Sequence, residues 1–255
     1  MPKAIILNPH DDDGIIGMGG TLIQLLKKNW EIMYIQMTDG RHGSDEISPN
    51  KLKIIRTEES KKEREFLGIG KFYNFDIEDR TLKNLPKQKR AKIIEKLTRI
   101  IEDFKPNIIF LPGKTDAHVD HKATYYIERE AIKRSEIKPL EVYYFVWLFP
   151  FLKQDPGILW KVLKISIDKQ WKKKRKIIRL HASQEKRGRY SQLAEGLNVY
   201  LSLIYSACRK KTRNKAEVLA VNRSNENYKL FIKDLEDVED VTKIFHGRKH
   251  RKTRV

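Results

Sequence analysis

The sequence predicts an α/β fold of the Rossmann-like kind, a mostly parallel sheet with helices on both faces. Three observations predict it. Ala4-Ile5-Ile6-Leu7 and Ile108-Ile109-Phe110-Leu111 are short, wholly apolar runs, as expected of strands buried on both faces. Such runs alternate with longer segments of helical periodicity, which is the pattern of βαβ units. Two polar clusters follow closely on those two runs, and an open parallel sheet binds ligands outside the carboxyl ends of its strands.

The elements follow in order. Lys3–Leu7 is the first expected strand, and Gly19-Gly20 opens a helix over Thr21–Lys28. Trp30–Thr38 alternates like a strand and ends at the turn signal Asp39-Gly40. Residues 41–50 are expected as a polar loop, and Arg56–Leu67 as a charged helix capped by Gly68. Lys71–Asp76 is a short strand. Lys87–Phe104 is an amphipathic helix with Ile93, Ile94, Leu97, Ile100, Ile101 and Phe104 on one face. After the Ile108–Leu111 strand, Lys122–Arg134 is expected as a helix and Glu141–Leu148 as a strand. The pattern blurs beyond about residue 150. One or two basic helices are expected over residues 169–205, and a late strand over Lys215–Asn222.

The chain has 255 residues, enough for one large α/β domain, expected over residues 1–245 with a disordered basic tail at 246–255. At 40% hydrophobic and 34% charged, it is too apolar for wholesale disorder. Its longest near-continuous apolar run, Val142–Leu152, is broken by Pro150, and a spanning helix needs roughly 20 residues. The first residues lack a signal-peptide pattern, so a cytoplasmic protein is expected. One cysteine, Cys208, excludes an internal disulfide and reads as a core thiol.

The net charge of +19 is concentrated. Twelve Lys or Arg lie between Lys161 and Tyr190 against Asp168 and Glu185, and five more follow His246. A solvated helix face plus a disordered tail accounts for this. The functional reading is attraction to a polyanion, either nucleic acid or an anionic membrane surface.

The chemistry lies in the two clusters. Asn8-Pro9-His10-Asp11-Asp12-Asp13 follows the first strand, and Thr115-Asp116-Ala117-His118-Val119-Asp120-His121 follows the Ile108–Leu111 strand. Imidazole and carboxylate ligands from separate loops, with a position left open, make a catalytic zinc-type site. His10 and Asp13 come from the first loop and His121 from the second, with Asp12 placed to take a proton from water. A facial pair of histidines with a carboxylate also suits Fe2+. Gly17-Met18-Gly19-Gly20 lacks the last glycine of a dinucleotide fingerprint and reads as a tight turn with close helix packing. His42 reads as a solvated loop residue, with the rim of a substrate site as its functional alternative.

At these residues the sequence resembles the LmbE/PIG-L family of metal-dependent N-acetylglucosaminyl deacetylases. That family's His-Pro-Asp-Asp-Glu motif, followed by Gly-x-Gly-Gly-Thr-Leu, corresponds to His10-Asp11-Asp12-Asp13-Gly14 and Gly17-Met18-Gly19-Gly20-Thr21-Leu22. Its His-Pro-Asp-His motif corresponds to His118-Val119-Asp120-His121. Thr38-Asp39-Gly40, Arg56-Thr57-Glu58-Glu59, His181-Ala182-Ser183-Gln184 and Ala216-Glu217 resemble further blocks.

The resemblance implies that His10, Asp13 and His121 ligate Zn2+ and that Asp12 is the general base. It implies that His118 stabilises the oxyanion or protonates the leaving amine, that Asp120 orients His118, and that Arg56 holds substrate. Asp11 stands in place of the motif's proline, and Gly14 in place of its glutamate. The implied activity is removal of acetyl from an N-acetylglucosamine-type sugar. The alternative is a nucleic-acid-binding or membrane-surface protein on the same scaffold, using residues 161–190; a lipid-linked sugar would join the two. The expected partners are thus an N-acetylated sugar, a polyanion at the basic segment and a second copy of the chain.

Overall fold

A computed structural model describes residues 1–146, 160–204 and 214–242. Among them the chain runs β1 (Lys3–Asn8), α1 (Asp13–Lys27), β2 (Glu31–Thr38), α2 (Pro49–Leu67), β3 (Lys71–Ile77), a 3-10 turn (Leu82–Asn84), α3 (Lys87–Phe104), β4 (Ile108–Pro112), α4 (Val119–Arg134) and β5 (Leu140–Tyr144). Then come β6 (Trp160–Ser166), α5 (Trp171–Ile178), α6 (Ala182–Gly188), α7 (Tyr190–Ile204), β7 (Ala216–Asn222), α8 (Asn227–Lys233) and β8 (Val238–Asp240). The tail, Cys208 and the aromatic residues from position 147 to 151 lie outside the described residues.

The strands form one open sheet in the order β3-β2-β1-β4-β5-β7-β6-β8. The first five are parallel, and β7 pairs antiparallel with both β5 and β6. Alternate β1 residues feed two cores. Ala4 and Ile6 join α1, α5 and α7 on one face; Ile5 and Leu7 join α3 and α4 on the other. All six apolar positions expected on α3 are buried there. Helices therefore cover both faces, as the sequence predicts. No helix among the described residues is long and apolar enough to cross a membrane.

From β1 the chain passes outward to β2 and β3, then crosses back to β4 on β1's other side. The loops leaving β1 and β4 part at this switch point and open a crevice at the carboxyl ends of the strands.

α1 begins at Asp13, eight residues before the helix expected from the sequence, and is broken at Met18 (φ −145°, ψ 19°). The break exposes a carbonyl on one side and amide groups on the other, and both are satisfied from distant elements. Lys174 Nζ donates to the Ile16 carbonyl at 2.7 Å. The Glu217 carboxylate accepts from the Gly20 and Thr21 amides, each at 2.7 Å, and from the Thr21 hydroxyl at 2.7 Å. Gly20 is required by proximity: a Cβ there would lie 2.4 Å from Ile167 Cγ2.

The basic segment is not one solvated face. Its first residues, through Ser166, belong to β6, in which Lys164 is buried and pairs with Glu239 at 3.0 Å. Lys174 is wholly buried. The region expected as one or two helices contains three, with the break between α6 and α7 at Arg189, a left-handed residue (φ 48°).

Candidate active site

The β1–α1 loop folds back on the start of its own helix. The His10 amide donates to Asp13 Oδ2 at 2.8 Å, and the Pro9 carbonyl accepts from the Thr38 amide and hydroxyl. This fixes the His10 backbone over the end of the sheet. Asp13 Oδ2 also lies 3.1 Å from His10 Nδ1 and 3.0 Å from His121 Nε2. The three residues expected as ligands therefore meet at one carboxylate oxygen.

The β4–α4 loop brings the second cluster. Asp116 Oδ1 accepts from the His118 amide at 3.0 Å, and Oδ2 lies 3.0 Å from His121 Nδ1. His118 is the N-cap of α4, its Nδ1 accepting from the Asp120 amide at 3.3 Å. A ring nitrogen that accepts carries no hydrogen, so neutral His118 has its proton on Nε2. The ring is half-buried and stands edge-on to His10, with centroids 4.7 Å apart.

Asp120 makes contacts on two sides. Its amide is consumed in capping by His118, while its carboxylate accepts from the Arg80 amide at 2.7 Å and lies 3.6 Å from His10 Nε2. It faces His10 and also lies within 4.8 Å of a His118 ring nitrogen. Arg56 is engaged by two carboxylates. It is buried, and its Nε and Nη2 donate to Asp11 while Nη2 donates to Asp12 Oδ1 at 3.0 Å.

An open cavity of about 370 Å³ is lined by His10, Asp12, His118 and Arg56, with His42, Asp79, Gln184 and Tyr190 among the remaining walls. His42 therefore belongs to the rim. Asp79 and Tyr190 were not singled out from the sequence. Asp79 Oδ1 lies 3.2 Å from His10 Nε2 and Oδ2 accepts from the His42 amide at 3.1 Å. Its signal was available, since it follows a parallel strand as the two clusters do. Tyr190 carried none, because α7 reaches the cavity only through the turn at Arg189.

The electrostatics follow from proximity. Burial would lift the Asp13 carboxyl, but His121 and His10 hold it well below the usual carboxylate range. Burial would lower His121, yet Asp13 and Asp116 push it up to about 9. Burial raises Asp12, opposed by Arg56 and reinforced by Asp11 and Asp13. Burial, with His10 and His121 nearby, lowers His118.

This donor set fits a divalent metal. Both His121 ring nitrogens are buried and make no well-aimed hydrogen bond, although each is 3.0 Å from a carboxylate oxygen. The contact of His121 Nε2 with Asp13 Oδ2 is near the separation of two ligand atoms on one tetrahedral ion with bonds of about 2.0–2.1 Å. His10, His118 and His121 also bring ring nitrogens within 4.8 Å of one another, and His10 is shared with a second such group of Asp79, His118 and Asp120.

Gly14 is explained by crowding. A Cβ there would lie 2.4 Å from Asn8 Oδ1. The Asn8 side chain thus fills the space a larger residue would need.

Fold and cluster together define the class: an open α/β protein with its polar chemistry gathered at the switch point of the sheet. The chain belongs to the PIG-L family, described as GlcNAc-PI de-N-acetylase, whose family model matches residues 5–132. It is 30% identical over 135 residues to the diacetylchitobiose deacetylase of Thermococcus kodakarensis, covering 51% of this chain and 49% of that protein. The chain spans about half the length of the first curated relatives it matches. Its fold is similar to that of N,N'-diacetylchitobiose deacetylase from Pyrococcus horikoshii (TM-score 0.68, 22% identity, 86% and 83% of the two chains covered). It is also similar to the 4-carboxy-2-hydroxymuconate hydratase GalB from Pseudomonas putida KT2440 (TM-score 0.67, 18% identity, 87% and 96% covered). The scaffold thus carries more than one chemistry, and function must be argued from the site.

Proposed function

We propose that this chain is a metal-dependent hydrolase that removes the acetyl group from an N-acetylglucosamine-type sugar. One observation carries the reading. Asp12 lines the cavity beside the His10–Asp13–His121 cluster, with Oδ1 held by Arg56 and Oδ2 buried without a hydrogen-bond partner. A carboxylate held by one oxygen and free at the other suits a general base. Family membership and the deacetylase relatives support the same reading.

His10, Asp13 and His121 would hold the metal. Zn2+ or Fe2+ bound there would supply Lewis acidity toward the acetyl carbonyl and the attacking water. Asp12 Oδ2 takes the proton from that water as its oxygen forms a bond to the acetyl carbon. His118, neutral with its hydrogen on Nε2, donates to the developing oxyanion. The proton held on Asp12 then passes to the amide nitrogen as the carbon–nitrogen bond breaks, releasing acetate and a free amine. This differs from a cationic His118 acid, because Nδ1 is occupied as an acceptor and burial disfavours the charge.

Purified protein incubated with N-acetylated glycans should release acetate and free amine, with loss of both after chelation and recovery on adding Zn2+ or Fe2+. Failure to deacetylate free, inositol-linked and lipid-linked N-acetylglucosamine, with metal bound, would overturn the reading.

A further inference from the structure

Asp11 is buried directly behind the proposed base. Its Oδ1 accepts from Arg56 Nε at 2.7 Å and from Arg56 Nη2. Its Oδ2 lies 3.4 Å from His181 Nδ1. His181 Nε2 is 2.5 Å from Glu63 Oε2, and Glu63 Oε1 accepts from the Tyr34 hydroxyl at 2.8 Å. Asp12, Arg56, Asp11, His181, Glu63 and Tyr34 are each buried, which strengthens these contacts.

Asp11, Glu59 and His181 could be mistaken for a second metal site, since their ligand atoms lie within 4.8 Å of one another. The Arg56 guanidinium already bonded to Asp11 opposes a cation there. Glu59 is also engaged, accepting from the Ser183 amide and hydroxyl at 2.7 Å each.

Arg56 could instead be a substrate-binding cation. The geometry opposes that as its main role. Nε and Nη2 are committed to Asp11 and Asp12, and a Cβ on Gly43 would lie 2.6 Å from Nη1, which shows how closely the remaining nitrogen is packed.

We propose that Asp11 is a positioning residue for the general base. It locks Arg56 in a fork, so that Arg56 Nη2 holds Asp12 Oδ1 and leaves Oδ2 for the attacking water. Arg56 thereby serves the base before it serves the substrate. His181 and Glu63 hold Asp11 from behind. This inference rests on Asp12 acting as base in the proposed deacetylation.

The test uses the full chain loaded with metal. Asp11→Asn keeps the shape but loses the charge, and Arg56→Lys keeps the charge but cannot span both carboxylates. Weakening a charge-assisted contact should lower kcat about 10–100-fold in each variant, with KM nearly unchanged and metal content retained. The double variant Asp11→Asn/Arg56→Lys should fall little further than either single one, because both changes act through one contact. A rise in KM at constant kcat for Arg56→Lys would return Arg56 to substrate binding, and additive losses would separate the two residues; either result overturns the proposal. A readout free of catalysis is the Arg56 Nε–H signal in 15N NMR of wild type. It should be protected from solvent exchange and move in Asp11→Asn. Rapid exchange in wild type would also overturn the clamp. If wild type hydrolyses no N-acetylated sugar while that signal behaves as expected, the functional reading fails and the clamp itself stands.

Discussion

Lys174 Nζ lies 2.7 Å from Glu217 Oε1, and both side chains are wholly buried at the break in α1. The pair does more than neutralise itself. Lys174 also donates to the Ile16 carbonyl and to Asn198 Oδ1, while Glu217 caps the restarted helix at Gly20 and Thr21. Removing one partner strands a buried charge and frees backbone groups. Lys174→Met is expected to destabilise by about 3–5 kcal/mol, read as a drop in the urea midpoint at constant m-value. A change below about 1 kcal/mol would show the break to be held by other contacts.

A metal equivalent is the second expectation. Elemental analysis of purified wild type should find about one divalent ion per chain, as the three-ligand set requires. His121→Ala should lose it, since this imidazole is buried with both nitrogens poorly satisfied. A fully active preparation free of metal would sink the assignment of His10, Asp13 and His121.

Asp12→Asn should keep the metal and lose about 10²–10⁴-fold in kcat, the usual worth of a general base. The amide is nearly isosteric and still accepts from Arg56. Metal content and turnover are measured on the same sample. A loss below about tenfold with metal intact would require another base.

Stability should respond to pH through Glu128. This side chain on α4 is buried with neither oxygen hydrogen-bonded. Burial first, and then Glu141, lifts its carboxyl well above the usual carboxylate value, with Arg129 opposing. The folded chain therefore keeps a proton that the unfolded chain releases. Its contribution to stability is fully present below the ordinary glutamate value and is lost as pH rises through the folded one. Glu128→Gln should match wild type in Tm at acid pH and exceed it at neutral and alkaline pH. Parallel curves would show that Glu128 does not titrate as described.

Gly14→Glu restores the residue of the resembling motif and should destabilise, by about 1–3 kcal/mol, as overpacking does. The new side chain must displace Asn8, whose Oδ1 occupies the space. Thermal melts of Gly14→Ala and Gly14→Glu separate the effect of the Cβ from that of the charge. A gain in Tm for either would show that Asn8 yields at no cost.

Much of the parallel half was legible in the sequence for a simple reason. β1 and β4 are buried on both faces, so Ala4–Leu7 and Ile108–Leu111 are continuously apolar, and α3 carries its core face at helical spacing. The convergence of His10, Asp13 and His121 followed from the same strands. What escaped depends on partners far along the chain. β6 was hidden because Lys161 and Lys164 interrupt its apolar run, and Lys164 pairs with Glu239, 75 residues on. Lys174 counted as a surface charge until Glu217, 43 residues on, proved to be its partner. The exposed cations that remain on α5 include Lys172, Lys173 and Lys176. The contacts of Asp120 with the Arg80 amide and His10 escaped too, because spacing gives adjacency to His118 and says nothing of which way the carboxylate turns at the second position of a capped helix.

The break in α1 has a bearing on how this chain can be recombined. The residues proposed to hold the metal all precede position 122, yet the helix that begins with Asp13 is completed by Lys174 and Glu217. The His181 side chain likewise reaches back to Asp11. Front and back halves are therefore not exchangeable modules. A chimaera joined between β4 and β5 should fold only when the incoming half carries a lysine and a glutamate that meet at this break. Two halves taken from different parents must match there, even where every residue of the catalytic cluster comes from one of them.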